Sequence, residues 1–194
     1  MRLIWLCLLA ACTHAVHVDQ LRLHPLGPPE PDHKLTTPVY LAEVRSELPE
    51  PARFGDTSIL ARFIIEAYEL PTFVRRDLVT ELERLFATVR VGEPPARCRN
   101  CIVLRAKLER IVGFDGRKPL QLGSFHMRAI LDWSVAITMP GGGYTYRNRV
   151  EGPHSRDPSA IVRGVLETAL VQFTSELYVK GMEVAGRLSL KERQ

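Results

Sequence analysis

Residues 125–139, FHMRAILDWSVAITM, decide the architecture of this chain. Phe125, Met127, Ala129, Leu131, Trp133, Val135, Ile137 and Met139 occupy every second position. His126, Arg128, Asp132, Ser134 and Thr138 fall between them, with Ile130 and Ala136 the apolar exceptions. Successive side chains on a strand point to opposite faces, so this pattern predicts a strand with one buried face and one mostly wet face. Fully extended, such a strand would run roughly 50 Å, and a bend or bulge is expected along it.

Downstream, PGGGYTY (residues 140–146) raises a choice between a phosphate cradle and a turn. A cradle needs a helix N-terminus directly behind the glycines. Tyr144, Thr145, Tyr146 and Arg147 instead continue in strand-like composition, so the glycines are read as a hairpin. Asp157-Pro158 then opens a helix, with Asp as cap and Pro in the first turn. Its apolar stripe is Ile161, Val162, Val165, Leu166, Ala169, Leu170, Phe173 and Leu177, a partner of the right shape for the buried face of residues 125–139.

Upstream, Cys101 to Arg110 alternates as well. Ile102, Leu104, Ala106 and Leu108 face one way, Arg105, Lys107 and Glu109 the other, and GFDGRKP (residues 113–119) reads as a turn. Earlier still, Val74, Leu78, Leu82, Leu85, Phe86 and Val89 recur at spacings of three and four after Pro71 and the capping residue Thr72, which predicts an amphipathic helix ended by GEPP (residues 92–95). Pro38 to Ser46 reads as a first strand, and Ser58 to Leu70, rich in β-branched and aromatic residues, as a second with a helical turn still open within it. Together these elements make an α+β fold, a two-layer sandwich with two helices on one face of a largely antiparallel sheet. The domain is expected over residues 37–183, with 184–194 a polar tail.

The chain of 194 residues carries a net charge of +4, too mild to argue for nucleic acid, and no lysine-rich run concentrates it. No P-loop, dinucleotide fingerprint, H-E-x-x-H or G-x-S-x-G motif is present. His14, His17, His24 and His33 have no spacing that fixes a coordination geometry. Inside the domain only His126 and His154 could join the cysteines at a zinc, so neither a metal nor a cofactor is expected. His126 and Asp132 are six residues apart on one strand, too far to touch. The charges that remain on the wet sheet face, Arg105, Lys107 and Arg128, with Arg147 and Arg149 after the hairpin, form a candidate contact face for anionic groups; a plainly solvated face is the alternative.

The N-terminus carries the compartment. Arg2 precedes IWLCLLAAC (residues 4–12), an apolar run far shorter than the roughly 20 residues that cross a bilayer. A positive residue, a short apolar segment and small residues are the layout of a secretory signal. Leu9-Ala10-Ala11-Cys12 resembles the lipobox of bacterial lipoproteins. That resemblance implies a signal peptide over residues 1–11, cleavage before Cys12, a diacylglyceryl group on the Cys12 thiol and a further acyl chain on its amine. Thr13 in place of Asp after the cysteine favours the periplasmic face of the outer membrane over the inner one.

The alternative is ordinary signal cleavage after Thr13-His14-Ala15, giving a soluble secreted domain. Residues 12–36 are expected to form a tether, because HPLGPPEPDHK (residues 24–34) holds four prolines and a glycine. Lipobox and element order together resemble small periplasmic lipoproteins of the YajG-like type and the auxiliary lipoproteins of lipid-transport systems. This implies a membrane-anchored binding or assembly module with an envelope protein, lipid or glycan partner.

With Cys7 in the leader and Cys12 acylated, Cys98 and Cys101 remain as the thiols of the mature chain. An oxidising compartment would pair them. A thiol oxidoreductase is the competing function. Such a site sets its first cysteine at a helix N-terminus, whereas Cys101 leads into a strand, so a structural disulfide is expected.

Overall fold

The structure is a computed structural model describing residues 12–21, 23, 31–56, 63–96, 98, 100–115 and 127–191. Among the described residues, eight strands and two long helices follow in the order β1 (Cys12–His17), β2 (Val39–Ser46), β3 (Ala52–Asp56), β4 (Phe63–Tyr68), α1 (Leu70–Leu85), β5 (Val89–Val91), β6 (Ile102–Asp115), β7 (Met127–Met139), β8 (Gly142–Glu151) and α2 (Pro158–Lys191). A five-stranded sheet runs β5-β2-β6-β7-β8 and a three-stranded sheet runs β1-β4-β3. The α+β sandwich expected from the sequence is the observed fold. Its strands are mixed: β2 pairs in parallel with both β5 and β6, while β6, β7 and β8 form an antiparallel meander.

The alternation of residues 127–137 translates directly into burial. Met127, Ala129, Leu131, Trp133, Val135 and Ile137 are all buried, and Trp133 packs edge-on against Phe173 of α2 with ring centroids 5.4 Å apart. The large apolar residues of the α2 stripe are buried too, at a gross gain of roughly 10–20 kcal/mol before chain entropy is subtracted. Asp157 caps α2 as expected, its Oδ1 accepting from the Ser159 amide at 3.0 Å. The GGG segment turns the β7–β8 hairpin, with Gly141 at φ 97° and Gly142 at φ 149°. Val74, Leu78, Leu82 and Leu85 of the α1 stripe are buried as expected. The helix ends at Leu85 and not at GEPP: Phe86 is already extended, and Val89 belongs to β5, paired with Val39. Thr72 is not the cap of α1. Glu69, in the left-handed region at φ 59°, precedes the helix, and the Glu50 carboxylate accepts from its amide at 2.8 Å.

Four segments depart from the sequence reading. Residues 12–21 are no tether. Cys12–His17 forms β1, parallel to β4 in the register Cys12↔Phe63 to His17↔Tyr68, and Val16, Val18 and Leu21 are buried in the main core. The three apolar residues supply the burial that the neighbouring histidines mask, and β4 supplies the backbone hydrogen bonds. The proline-rich residues 24–30 lie outside the described residues. Leu35 bridges Phe86 in parallel, which ties the chain down before β2. β6 continues through Asp115, where the sequence suggests a turn from Gly113, and the second half of that turn lies outside the described residues. α2 runs on to Lys191 through the stretch expected as a polar tail. Finally, Ser58 to Leu70 resolves into β4 and the first residue of α1, with residues 57–62 outside the described part.

Candidate anion-binding groove

The outer face of the five-stranded sheet, turned away from the helices, is where the sequence places its candidate charges. Arg105 is held by both carboxylate oxygens of Glu93, at 2.7 and 2.9 Å. Lys107 pairs with Glu47 at 2.7 Å, and Arg128 pairs with Glu151. These three cations are therefore answered by neighbours at the rim of the sheet, and that part of the face is laced with ion pairs. Arg149 is only loosely matched, its Nε 3.9 Å from an Asp132 oxygen. Arg147 has no ion pair among the described residues.

A β-bulge changes what stands beside them. Leu108 is registered with Trp133, but Arg110, not Glu109, is registered with Asp132. The extra residue, Glu109, accepts a hydrogen bond from the Ser134 hydroxyl at 2.7 Å. Strict alternation from Ile102 would send Arg110 into the core; the shifted register puts it on the outer face, beside Asp132 and Arg149.

The second sheet completes the site. β3 comes up against β6, and between them opens a groove of about 550 Å³ lined by Arg53, Arg110 and Arg149, with Phe54, Ile64, Ile111, Val112 and Ile130 as its apolar surface. Among the described residues no carboxylate lines it. Arg53 is steadied from behind by Glu66 at 2.9 Å, and Glu66 in turn accepts from the Tyr68 hydroxyl at 2.9 Å. A neighbouring depression of about 400 Å³ shares Arg110 and Arg149 and adds Arg147, here with Glu109 and Asp132 in its wall. Four guanidiniums from two strands of one sheet, β6 and β8, and one strand of the other, β3, thus form a track with a bidentate hydrogen-bonding fork at each step, chemistry suited to phosphate or carboxylate.

Sequence reasoning finds Arg147 and Arg149 of this track and misses Arg53 and Arg110. Arg53 sits on a five-residue strand with no readable period, and Arg110 is hidden by the bulge.

Cys98 and Cys101 are joined in a disulfide, Cα atoms 5.8 Å apart. Cys101, Tyr40 and Val103 form a small apolar cluster with Cys98 and Ala42 packed on it, and the bridge closes the loop before β6. Cys12 is the first residue of β1. His126 lies outside the described residues, and His17 stacks on Tyr68 at 5.1 Å. Among the described residues no group of three or more His, Cys, Asp or Glu is placed to hold a metal ion, and no helix is long and apolar enough to cross a membrane.

A cleft of about 380 Å³ between the hairpin tip and α2 is lined by Tyr144, Glu176, Lys180 and Glu183. Burial pushes the Tyr144 phenol above its ordinary pKa, reinforced by the Glu176 and Glu183 charges. Both signs of charge meet in this cleft, and it has no single ligand chemistry.

No family model matches the sequence, and no curated protein matches it. The fold does match solved structures. The putative neuraminyllactose-binding hemagglutinin homolog from Helicobacter pylori aligns over 88% of this chain and 100% of its own, at 14% identity and a TM-score of 0.54. Protein XCC0632 from Xanthomonas campestris, of the DUF330 family, aligns over 93% of this chain and 99% of its own at 15% identity and a TM-score of 0.49. The rare lipoprotein B from Shewanella oneidensis covers 80% and 99% at 14% identity and 0.31. The likeness to the Helicobacter protein is one of fold.

Proposed function

We propose that this chain is a lipid-anchored binding or assembly module of the bacterial envelope, not an enzyme. In this reading residues 1–11 are the leader, Cys12 carries the acyl chains, and the domain stands at the periplasmic face of the outer membrane. Leu9-Ala10-Ala11-Cys12 supplies the processing signal. The observation that carries the choice of cleavage site is β1. A cut before Cys12 leaves all six of its residues, whereas a cut after Ala15 removes Cys12 to Ala15, four of the six pairs made with β4. Losing that pairing would strip backbone groups of their partners beside a core that includes Val16 and Ile65. The fold therefore favours lipoprotein processing over ordinary secretion.

The dithiol alternative fares less well. Cys101 leads into β6, and no helix N-terminus stands at the pair to activate a thiolate. A pair packed on Tyr40 and Val103 reads as structural.

Fractionation of envelopes tests the proposal. The native chain should sediment with membranes and resist extraction by high salt, and Cys12→Ser should be released by high salt with its fold intact. A Cys12→Ser chain that stays with the membrane as firmly as the native protein would refute the anchor.

A further inference from the structure

We infer that the groove of Arg53, Arg110 and Arg149 seats the headgroup of an anionic phospholipid in the same membrane that Cys12 enters. The inference rests on the anchored reading for its location and on the groove itself for its chemistry.

Location comes from strand register. Thr13 pairs with Ile64, Ile64 pairs with Gly55, and both Ile64 and Gly55 line the groove. Cys12 is the residue before Thr13 on the same strand. One inter-strand spacing, roughly 5 Å, separates the anchored strand from Ile64 of the groove wall, and two, roughly 10 Å, separate it from Gly55. Because residues 12–17 are strand and not spacer, an acylated Cys12 would draw the three-stranded sheet down to the membrane surface and bring the groove with it. A basic patch beside an acyl anchor is the usual form of a second membrane signal.

Chemistry comes from the lining. Among the described residues three guanidiniums and no carboxylate face the groove, and Arg53, Arg110 and Arg149 set the sign of that lining. Glu66 holds Arg53 at 2.9 Å and Asp132 only loosely meets Arg149 at 3.9 Å, and neither acid lines the groove. Arg110 has no ion pair among the described residues and is the open donor. The apolar side chains decide the source of the anion. A bare phosphate or a sugar acid would satisfy the forks and leave Ile64, Ile111, Val112 and Ile130 in water. A phospholipid meets the forks with its phosphate and covers that surface with glycerol and the first methylenes of a chain.

Co-sedimentation of the full chain carrying Cys12→Ser with lipid vesicles tests this without any contribution from acylation. The chain should bind vesicles of phosphatidylcholine mixed with phosphatidylglycerol and not phosphatidylcholine alone. The triple variant Arg53→Gln/Arg110→Gln/Arg149→Gln should bind roughly a hundredfold more weakly. Arg45→Gln/Arg105→Gln/Lys107→Gln removes the same charge from residues that Glu43, Glu93 and Glu47 already answer, and should bind within about threefold of the parent. Circular dichroism of each variant checks its fold, and Arg110→Gln alone, an exposed change, should still weaken binding if the triple variant misfolds. Absence of binding to the anionic vesicles, or an equal loss in both triple variants, overturns the seat. So does complete competition by inorganic phosphate or dextran sulfate, which would make the occupant a soluble anion. The anchor stands or falls separately, on fractionation of the native chain.

Discussion

Gly113 of β6 and Gly55 of β3 lie back to back where the two sheets meet: a Cβ on Gly113 would stand 2.7 Å from the Gly55 Cα and 3.0 Å from the Met127 sulfur. The Met127 side chain can yield, but against Gly55 the contact is backbone on side-chain-free backbone, which cannot swing aside. It sets the separation of β3 from β6 and therefore the width of the arginine groove.

Gly113→Ala is accordingly expected to destabilise the fold by about 1–3 kcal/mol, the usual cost of overpacking a closed contact. Chemical denaturation of the purified chain measures this as a lower midpoint with the slope unchanged. An unchanged midpoint would mean that β3 moves freely relative to β6 and does not hold the groove.

The Cys98–Cys101 bridge closes a very short loop, so its entropic worth is about 2 kcal/mol. Cys98→Ser/Cys101→Ser should lower the melting temperature by several degrees and leave vesicle binding intact. Dithiol exchange with a model disulfide that disappears in a still-folded variant would instead support the oxidoreductase.

Alkaline pH should loosen the hairpin. Burial raises the Tyr146 and Tyr144 phenols above the ordinary value of about 10, and the Glu66 carboxylate raises Tyr68 through their hydrogen bond. A raised phenol stays protonated in the folded chain at a pH where the unfolded chain has lost its proton. Stability contributed by the two buried phenols is thus complete below about pH 10 and falls as pH rises above it. Phenolate absorbance in a pH titration should show three late tyrosines, with Tyr144 and Tyr146 influencing each other, and all three advanced to the ordinary range in denaturant.

What the sequence shows and what it hides divide along the range of the interactions. The Phe125–Met139 alternation, the α1 stripe as far as Leu85, the α2 stripe, the glycine turn and the Asp157 cap are local signals, and the structure reproduces each over the residues it describes. β1 and β5 are short and owe their existence to partners far along the chain, Cys12 meeting Phe63 and Val39 meeting Val89, while β3, equally short, pairs with the next strand, β4. Histidines at positions 14 and 17 and a glycine at 55 break any period those strands might show. The groove was half legible for the same reason. Arg147 and Arg149 follow the hairpin pattern, whereas Arg110 reaches the outer face only because one residue of β6 is left over at Glu109. A register shift of that kind depends on the neighbouring strand and leaves no mark in the β6 sequence itself.

The intact mass and N-terminal fragment spectrum of the protein purified from its own envelope test the central claim most directly. The expected species begins at Cys12, with a diacylglyceryl thioether on its sulfur and an acyl group on its amine. A mature chain beginning at Val16, or one retaining Met1 with an unmodified Cys12, would contradict the anchor and with it the envelope role built upon it.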